Sequence, residues 1–138
     1  MDIDISAKLI YGFEVENADD IDLDSVLTSY IADFVGAEPD WTIPHTEAND
    51  DWLQRHHELT SADDWVGFEW VGVSSAKLVV VCTNLTTRVH FNYLTEIIPE
   101  MVRPPHNANI IQARMRRLCE LAGTLYRDPK WYLSVSLY

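Results

Sequence analysis

Positive charge is scarce in this chain. Ten Lys and Arg stand against 22 Asp and Glu, a net charge of −12. A chain so charged repels a polyanion, which argues against direct binding to a nucleic-acid backbone. Cysteine is rarer still. Cys82 and Cys119 are too few for a disulfide framework, and no basic, apolar and small-residue leader follows Met1. Both features fit a reducing, cytoplasmic compartment. Long apolar runs are missing too. The longest, Leu78 to Cys82, falls far short of the roughly 20 residues needed to span a bilayer, so no membrane partner is expected. The five glycines are scattered, with neither a phosphate-cradling loop nor a dinucleotide fingerprint, and no Gly-x-Ser-x-Gly elbow occurs. No cofactor is expected on these grounds, and the chain reads more readily as a binding protein than as an enzyme.

What remains is a soluble-type composition. The 138 residues are 47% hydrophobic and 23% charged, enough for one domain, residues 1–138, with a sizeable core. The charge is divided unevenly along it. Residues 1–69 carry 18 acids and 2 bases, a balance of −16, and residues 70–138 carry 4 acids and 8 bases, a balance of +4. Such asymmetry points to an interaction surface unless the two halves neutralise each other within the fold.

Periodicity supplies the elements. Leu9, Tyr11, Phe13 and Val15 alternate along a strand over residues 7–16, with Gly12 marking a bulge or a close neighbour. Leu23, Val26, Leu27, Tyr30, Ile31 and Phe34 repeat at helical spacing, with Asp20 or Asp22 as N-cap and Gly36 as stop. Residues 37–64 are irregular. Pro39, Pro44 and Asn49-Asp50-Asp51 argue for loop, with room for a short helix near 50–59. Residues 65–73 and 76–84 read as an antiparallel hairpin, the first strand at an edge and the second central. Residues 88–93 form a weak further strand, and Leu94 to Val102 one or two helical turns broken by Pro99. A second helix over 108–122 carries the stripe Ile111, Met115, Leu118, Ala122 and Leu125, capped by Asn107 and ended by Gly123. The last residues alternate, with Trp131, Leu133, Val135 and Leu137 inward and Tyr132, Ser134, Ser136 and Tyr138 outward. The order strand, helix, strand, strand, helix, strand is that of an α+β, ferredoxin-like split βαβ sandwich (βαββαβ) with a long acidic insertion between helix 1 and strand 2.

Candidate functional residues follow from chemistry and charge. Both cysteines fall in apolar elements and read as buried thiols rather than nucleophiles. His45, Glu47, Asp50, Asp51, His56, His57 and Glu58 match no metal-ligand spacing, and adjacent acids in a loop do not make a catalytic pair. The arginine cluster at 114, 116 and 117 is the main basic patch. Arg114 and Arg117 are candidate anion ligands, with pairing to Asp33 and Glu38 as the structural alternative. The strongest expectation is a non-enzymatic acidic inhibitor or interaction module of the phage or mobile-element type. In it Asp40, Trp41, Glu47, Asp50, Asp51, Trp52, Asp63, Asp64 and Glu69 would meet a basic surface on a protein partner, such as a nucleic-acid-binding protein. Indoles would anchor and carboxylates would steer. Two further readings compete. One is a small-molecule or nucleotide binder with its pocket between the insertion and the sheet, where Arg114, Arg117 or His106 holds an anion. The other is a phage assembly subunit that self-associates through an open sheet face bearing Ile10, Val79, Val81, Tyr132 and Tyr138, with Trp65 or Trp70 at its rim.

Overall fold

A computed structural model describes residues 5–43, 46–72, 77–85, 87–89 and 99–137. The chain is α+β, with an antiparallel sheet and three α-helices. The elements are β1 (Ile5–Glu14), α1 (Leu23–Val35), α2 (Glu47–Thr60), β2 (Val66–Val71), β3 (Lys77–Cys82), β4 (Thr87–Val89), α3 (Ala108–Ala122) and β5 (Lys130–Leu137). Short 3₁₀ turns lie at Ala18–Asp20, Thr83–Leu85 and Pro99–Val102.

β1 is the axis of the sheet. Along one side it pairs with β5 from Ile5↔Leu137 to Gly12↔Lys130. Along the other it pairs first with β4, at Ala7↔Val89 to Leu9↔Thr87, and then with β3, at Gly12↔Val81 to Glu14↔Val79. β2 closes this side through β3, in the register Val66↔Cys82 to Val71↔Lys77. At Gly12 the β3 backbone comes so close that a Cβ would run into the carbonyl oxygen of Val80. This close approach explains the glycine in the middle of a central strand.

The strand alternation separates two apolar faces. Tyr11, Phe13, Leu78 and Val80 face the helices and pack with Tyr30 of α1 and with Ile111, Met115 and Leu118 of α3, all buried. Ile10, Val71, Val79 and Val81 make a smaller cluster on the other face. Helix ends follow the local chemistry. The Asp22 carboxylate accepts from the Ser25 N–H at 3.3 Å, and Gly36 and Gly123 end their helices at φ +81° and +67°, where a side chain would be strained. Asn107 stands at the N-cap of α3 without a side-chain capping bond.

Several expectations change. The insertion holds more helix than expected, since α2 runs 14 residues from its N-cap Thr46, whose hydroxyl accepts from Asn49 N–H. The α3 stripe ends at Ala122 and leaves Leu125 72% exposed, because left-handed Gly123 turns the chain. Leu133 is 54% exposed at the sheet edge, whereas Ser134 on the outer face is buried. Trp65 is not a rim residue. It lies in the core with its ring 5.0 Å from that of Tyr30, and it is Trp70 that is exposed. Of the expected strand at 88–93, residues 88 and 89 belong to β4 and the rest lie outside the described residues, as do 94–98 and Tyr138. Pro99–Val102 is a 3₁₀ turn.

Candidate functional site

The predicted site residues separate into two groups, and arginine decides which acid goes where. α3 carries Arg114 and Arg117 off its apolar stripe, toward α1 and the turn before β2. Arg114 donates to the Asp64 carboxylate at 2.6 Å and to the Asp64 carbonyl at 3.1 Å, with both side chains about one-fifth exposed. Its guanidinium also lies over the Phe34 ring, 5.0 Å from the centroid. Arg117 donates to Asp33 at 2.8 Å and to Glu120 at 3.2 Å. Its hydrogen bond holds the Asp33 carboxyl below the usual carboxylate range. Both candidate anion ligands therefore already hold carboxylates of their own chain, and Glu38 is not among them. Glu69 is likewise committed, to Lys8 on the outer face of the sheet.

Beneath this seam the core is aromatic. Tyr30 is fully buried, its hydroxyl meets no hydrogen-bond partner among the described residues, and burial pushes its phenol well above the ordinary range, with Arg114 opposing. Burial also pushes the thiols of Cys82 and Cys119 up to about 11. A neutral thiol is a poor nucleophile, so neither is primed for covalent chemistry. Among the described residues, no group of three or more His, Cys, Asp and Glu is placed to hold a metal ion.

The second group gathers at the α2 corner. Trp41 and Trp52 meet edge to face with centroids 5.8 Å apart, and Trp52 stacks on His56 at 5.1 Å. Each indole is fixed by its N–H, Trp41 to Glu38 at 2.7 Å and Trp52 to the Gly36 carbonyl at 3.3 Å. Asp40 accepts from the Thr42 hydroxyl and N–H, and these bonds lower its carboxyl pKa. α2 lies against α1 through one side only, with a hollow of about 160 Å³ left between them beside Trp52. Three large apolar side chains therefore remain in the open: Trp41 at 44%, Ile43 at 54% and Leu53 at 41%. The same segment carries the exposed acids Glu38, Asp40, Glu47, Asp50 and Asp51. Among the described residues, none of Glu38, Asp40, Glu47 and Asp51 forms an ion pair, whereas Arg55 of the same helix turns back to the Phe34 carbonyl. Asp63 is exposed apart from this corner, and its carbonyl accepts from the Cys82 thiol.

Sequence reasoning passed over Ile43 because an isolated apolar residue in a polar segment carries no periodic signal, and it left Leu53 out of the partner-binding set because Leu53 falls on the apolar side of the short helix expected near 50–59. It also passed over a cleft of about 530 Å³ on the outer face of the sheet, remote from Arg114 and Arg117 and lined by residues of β1, β2, β3 and β5. No protein-family description, curated protein or solved structure matches this chain.

Proposed function

We propose that this chain is a non-enzymatic acidic interaction module whose α2 corner binds a basic protein surface with an apolar centre. One observation carries the reading: Trp41, Ile43 and Leu53 are all exposed in a segment where, among the described residues, Glu38, Asp40, Glu47 and Asp51 form no ion pair. Fixed aromatic side chains lose little entropy on binding and anchor an interface, while surrounding charge sets approach rate and register. The partner class is a protein with clustered Lys and Arg, such as a nucleic-acid-binding protein whose phosphate site these carboxylates would occupy, in the manner of a phage or mobile-element inhibitor. Asp40, Glu47, Asp50 and Asp51 steer, and Trp41 anchors. Asp64 and Glu69, committed to Arg114 and Lys8, serve the fold. The reading places the chain in the cytoplasm, where two buried free thiols persist.

For the fold, the same reading takes β1, β2, β3 and β5 as the four strands of a ferredoxin-like βαββαβ plan, with α1 and α3 as its helices and α2 and β4 as additions. The adjacency β2-β3-β1-β5 supports it.

Affinity capture from the native host, repeated at about 0.05 and 0.5 M salt, tests the function, because screening of exposed charge rises over that range. A partner retained at low salt and released at high salt is expected. Trp41→Ala should weaken its binding about tenfold or more, as an interface anchor does. Capture indifferent to both salt and Trp41→Ala would overturn the proposal.

A further inference from the structure

We infer that the cleft on the outer face of the sheet is a binding site for a small amphiphilic carboxylate, an apolar chain or ring carrying one acidic head. Its volume of about 530 Å³ lies within the roughly 300–1,000 Å³ of small-ligand pockets. Ile10, Val71 and Val79 line it, contributed by three different strands and packed as one cluster. Tyr132 adds a ring that is half exposed. The lining is thus apolar in its middle, as a hydrocarbon body requires.

The rim supplies the head-group chemistry. Three of the chain's ten cations, Lys77, Arg127 and Lys130, border this cleft, against two acids, Glu14 and Asp128. Lys77 is held by Glu14 at 3.0 Å, and Arg127 by Glu16. Lys130 has no ion-pair partner among the described residues. The cleft lining is therefore net positive in a molecule of net charge −12, which selects a single negative charge rather than a polyanion. β5 aligns the donors. Lys130, Tyr132 and Ser134 alternate on the outer face, opposite Gly12, Ile10 and Lys8 of β1. Ser134 is more than nine-tenths buried, lines the cleft, and its hydroxyl has no hydrogen-bond partner among the described residues. A buried hydroxyl without a partner is costly, and a carboxylate oxygen that displaces the side chains covering it would satisfy it. The site lies on the sheet face opposite the helices and does not depend on the α2 reading.

Titration of the full chain with sodium decanoate below its micelle concentration tests this, followed by methyl NMR. Saturable shifts are expected at Ile10, Val71 and Val79 and not at Leu118 in the helix-side core. Decan-1-ol should bind about fivefold more weakly or worse, and inorganic phosphate should leave the methyls unmoved. Lys130→Gln should weaken decanoate by about three- to fivefold and leave decan-1-ol unchanged. Ser134→Ala should hold or raise the melting temperature while weakening decanoate, a split that a merely structural serine would not give. Absence of saturable shifts would overturn the inference. So would equal binding of acid and alcohol, or a stable dimer that buries Tyr132 and shuts the probe out.

Discussion

The α1–α3 seam and the α2 corner use the same kind of residue for opposite ends. At the seam Asp33 and Asp64 each meet an arginine of α3, and the paired charges lie over a packed aromatic core. At the corner Glu38, Asp40, Glu47 and Asp51 meet none among the described residues, and they share their segment with exposed indole and aliphatic side chains. An ion pair between partners fixed by packing tightens a fold, whereas unpaired like charges on one helix work against it. The asymmetry in the sequence is thus only partly cancelled internally. Among the described residues, Glu14, Glu16, Asp33, Asp64 and Glu69 pair with a named cation. The carboxylates left at the corner account for the proposed steering field.

The sharpest contrast is packing. Met115 is fully buried at the seam and Leu53 is 41% exposed at the corner. Met115→Ala should cost about 2–5 kcal/mol, for lost burial plus a cavity. Leu53→Ala should stay within about 0.5 kcal/mol, as exposed substitutions do. Urea denaturation of both variants measures this. A cost above about 2 kcal/mol for Leu53→Ala would mean that the corner is core and not interface.

Alkaline pH should separate the regions next. Burial raises the thiols of Cys82 and Cys119 from 9.0 to about 11 in the folded chain. The folded state therefore holds these protons more tightly than the unfolded one. The resulting stability is complete below pH 9.0 and lost as pH rises toward and past 11, up to about 2–3 kcal/mol per thiol. Cys119→Ala should flatten the fall of stability between these limits. An unchanged pH slope in that variant would show that the thiol is not buried as described.

Arg114 probes the seam's electrostatics more gently. Arg114→Met keeps most of the volume but strands the Asp64 carboxylate, which is one-fifth exposed, and removes the cation above Phe34. A loss of about 1–3 kcal/mol is expected, less than for a fully buried pair because water reaches the site. Asp64→Asn combined with Arg114→Met should recover part of that loss, since no charge then lacks its partner. A double variant as unstable as the sum of the two singles would show that the ion pair carries no coupling.

The difference between the regions also explains what could be read from residues alone. α1 and α3 were legible because burial imposes a 3.6-residue period, and Asp22, Gly36 and Gly123 marked their ends. β1 was legible because Tyr11, Phe13 and Val15 alternate toward one core. α2 is longer than its apolar pattern suggests because it buries little. Asn49 is its one buried residue, and the Asn49-Asp50-Asp51 run that suggests a loop lies in its early turns behind the Thr46 cap. Partner choice was half legible. Asp33 does meet Arg117, but Arg114 takes Asp64 in the turn before β2, and Glu38 bonds instead to the Trp41 indole. The outer face was legible in Ile10, Val79 and Tyr132, but the cleft was not. It depends on the β1–β3 and β1–β5 registers, which join residues far apart in the chain, whereas the hairpin that adds Val71 is local.

Reversing one corner charge gives the smallest shift in stability and the clearest test of purpose. Glu47 and Asp51 stand four residues apart on α2, where like charges repel. Asp51→Lys replaces that repulsion with an attraction in the favourable order, glutamate before lysine, but Arg55, four residues on, then faces a like charge in place of an opposite one. Position 51 lies past the first turn, so little of the helix-dipole benefit is lost. The two effects offset, and thermal unfolding should show the variant within about 0.5 kcal/mol of the parent. If the corner exists to meet a basic surface, the same change should weaken capture of the partner and flatten its salt dependence. A substitution that leaves the fold unchanged while harming binding identifies a carboxylate kept for something outside the molecule. A variant of unchanged stability that captures the partner undiminished would return Asp51 to the solvated surface and leave Trp41, Ile43 and Leu53 without their steering charge.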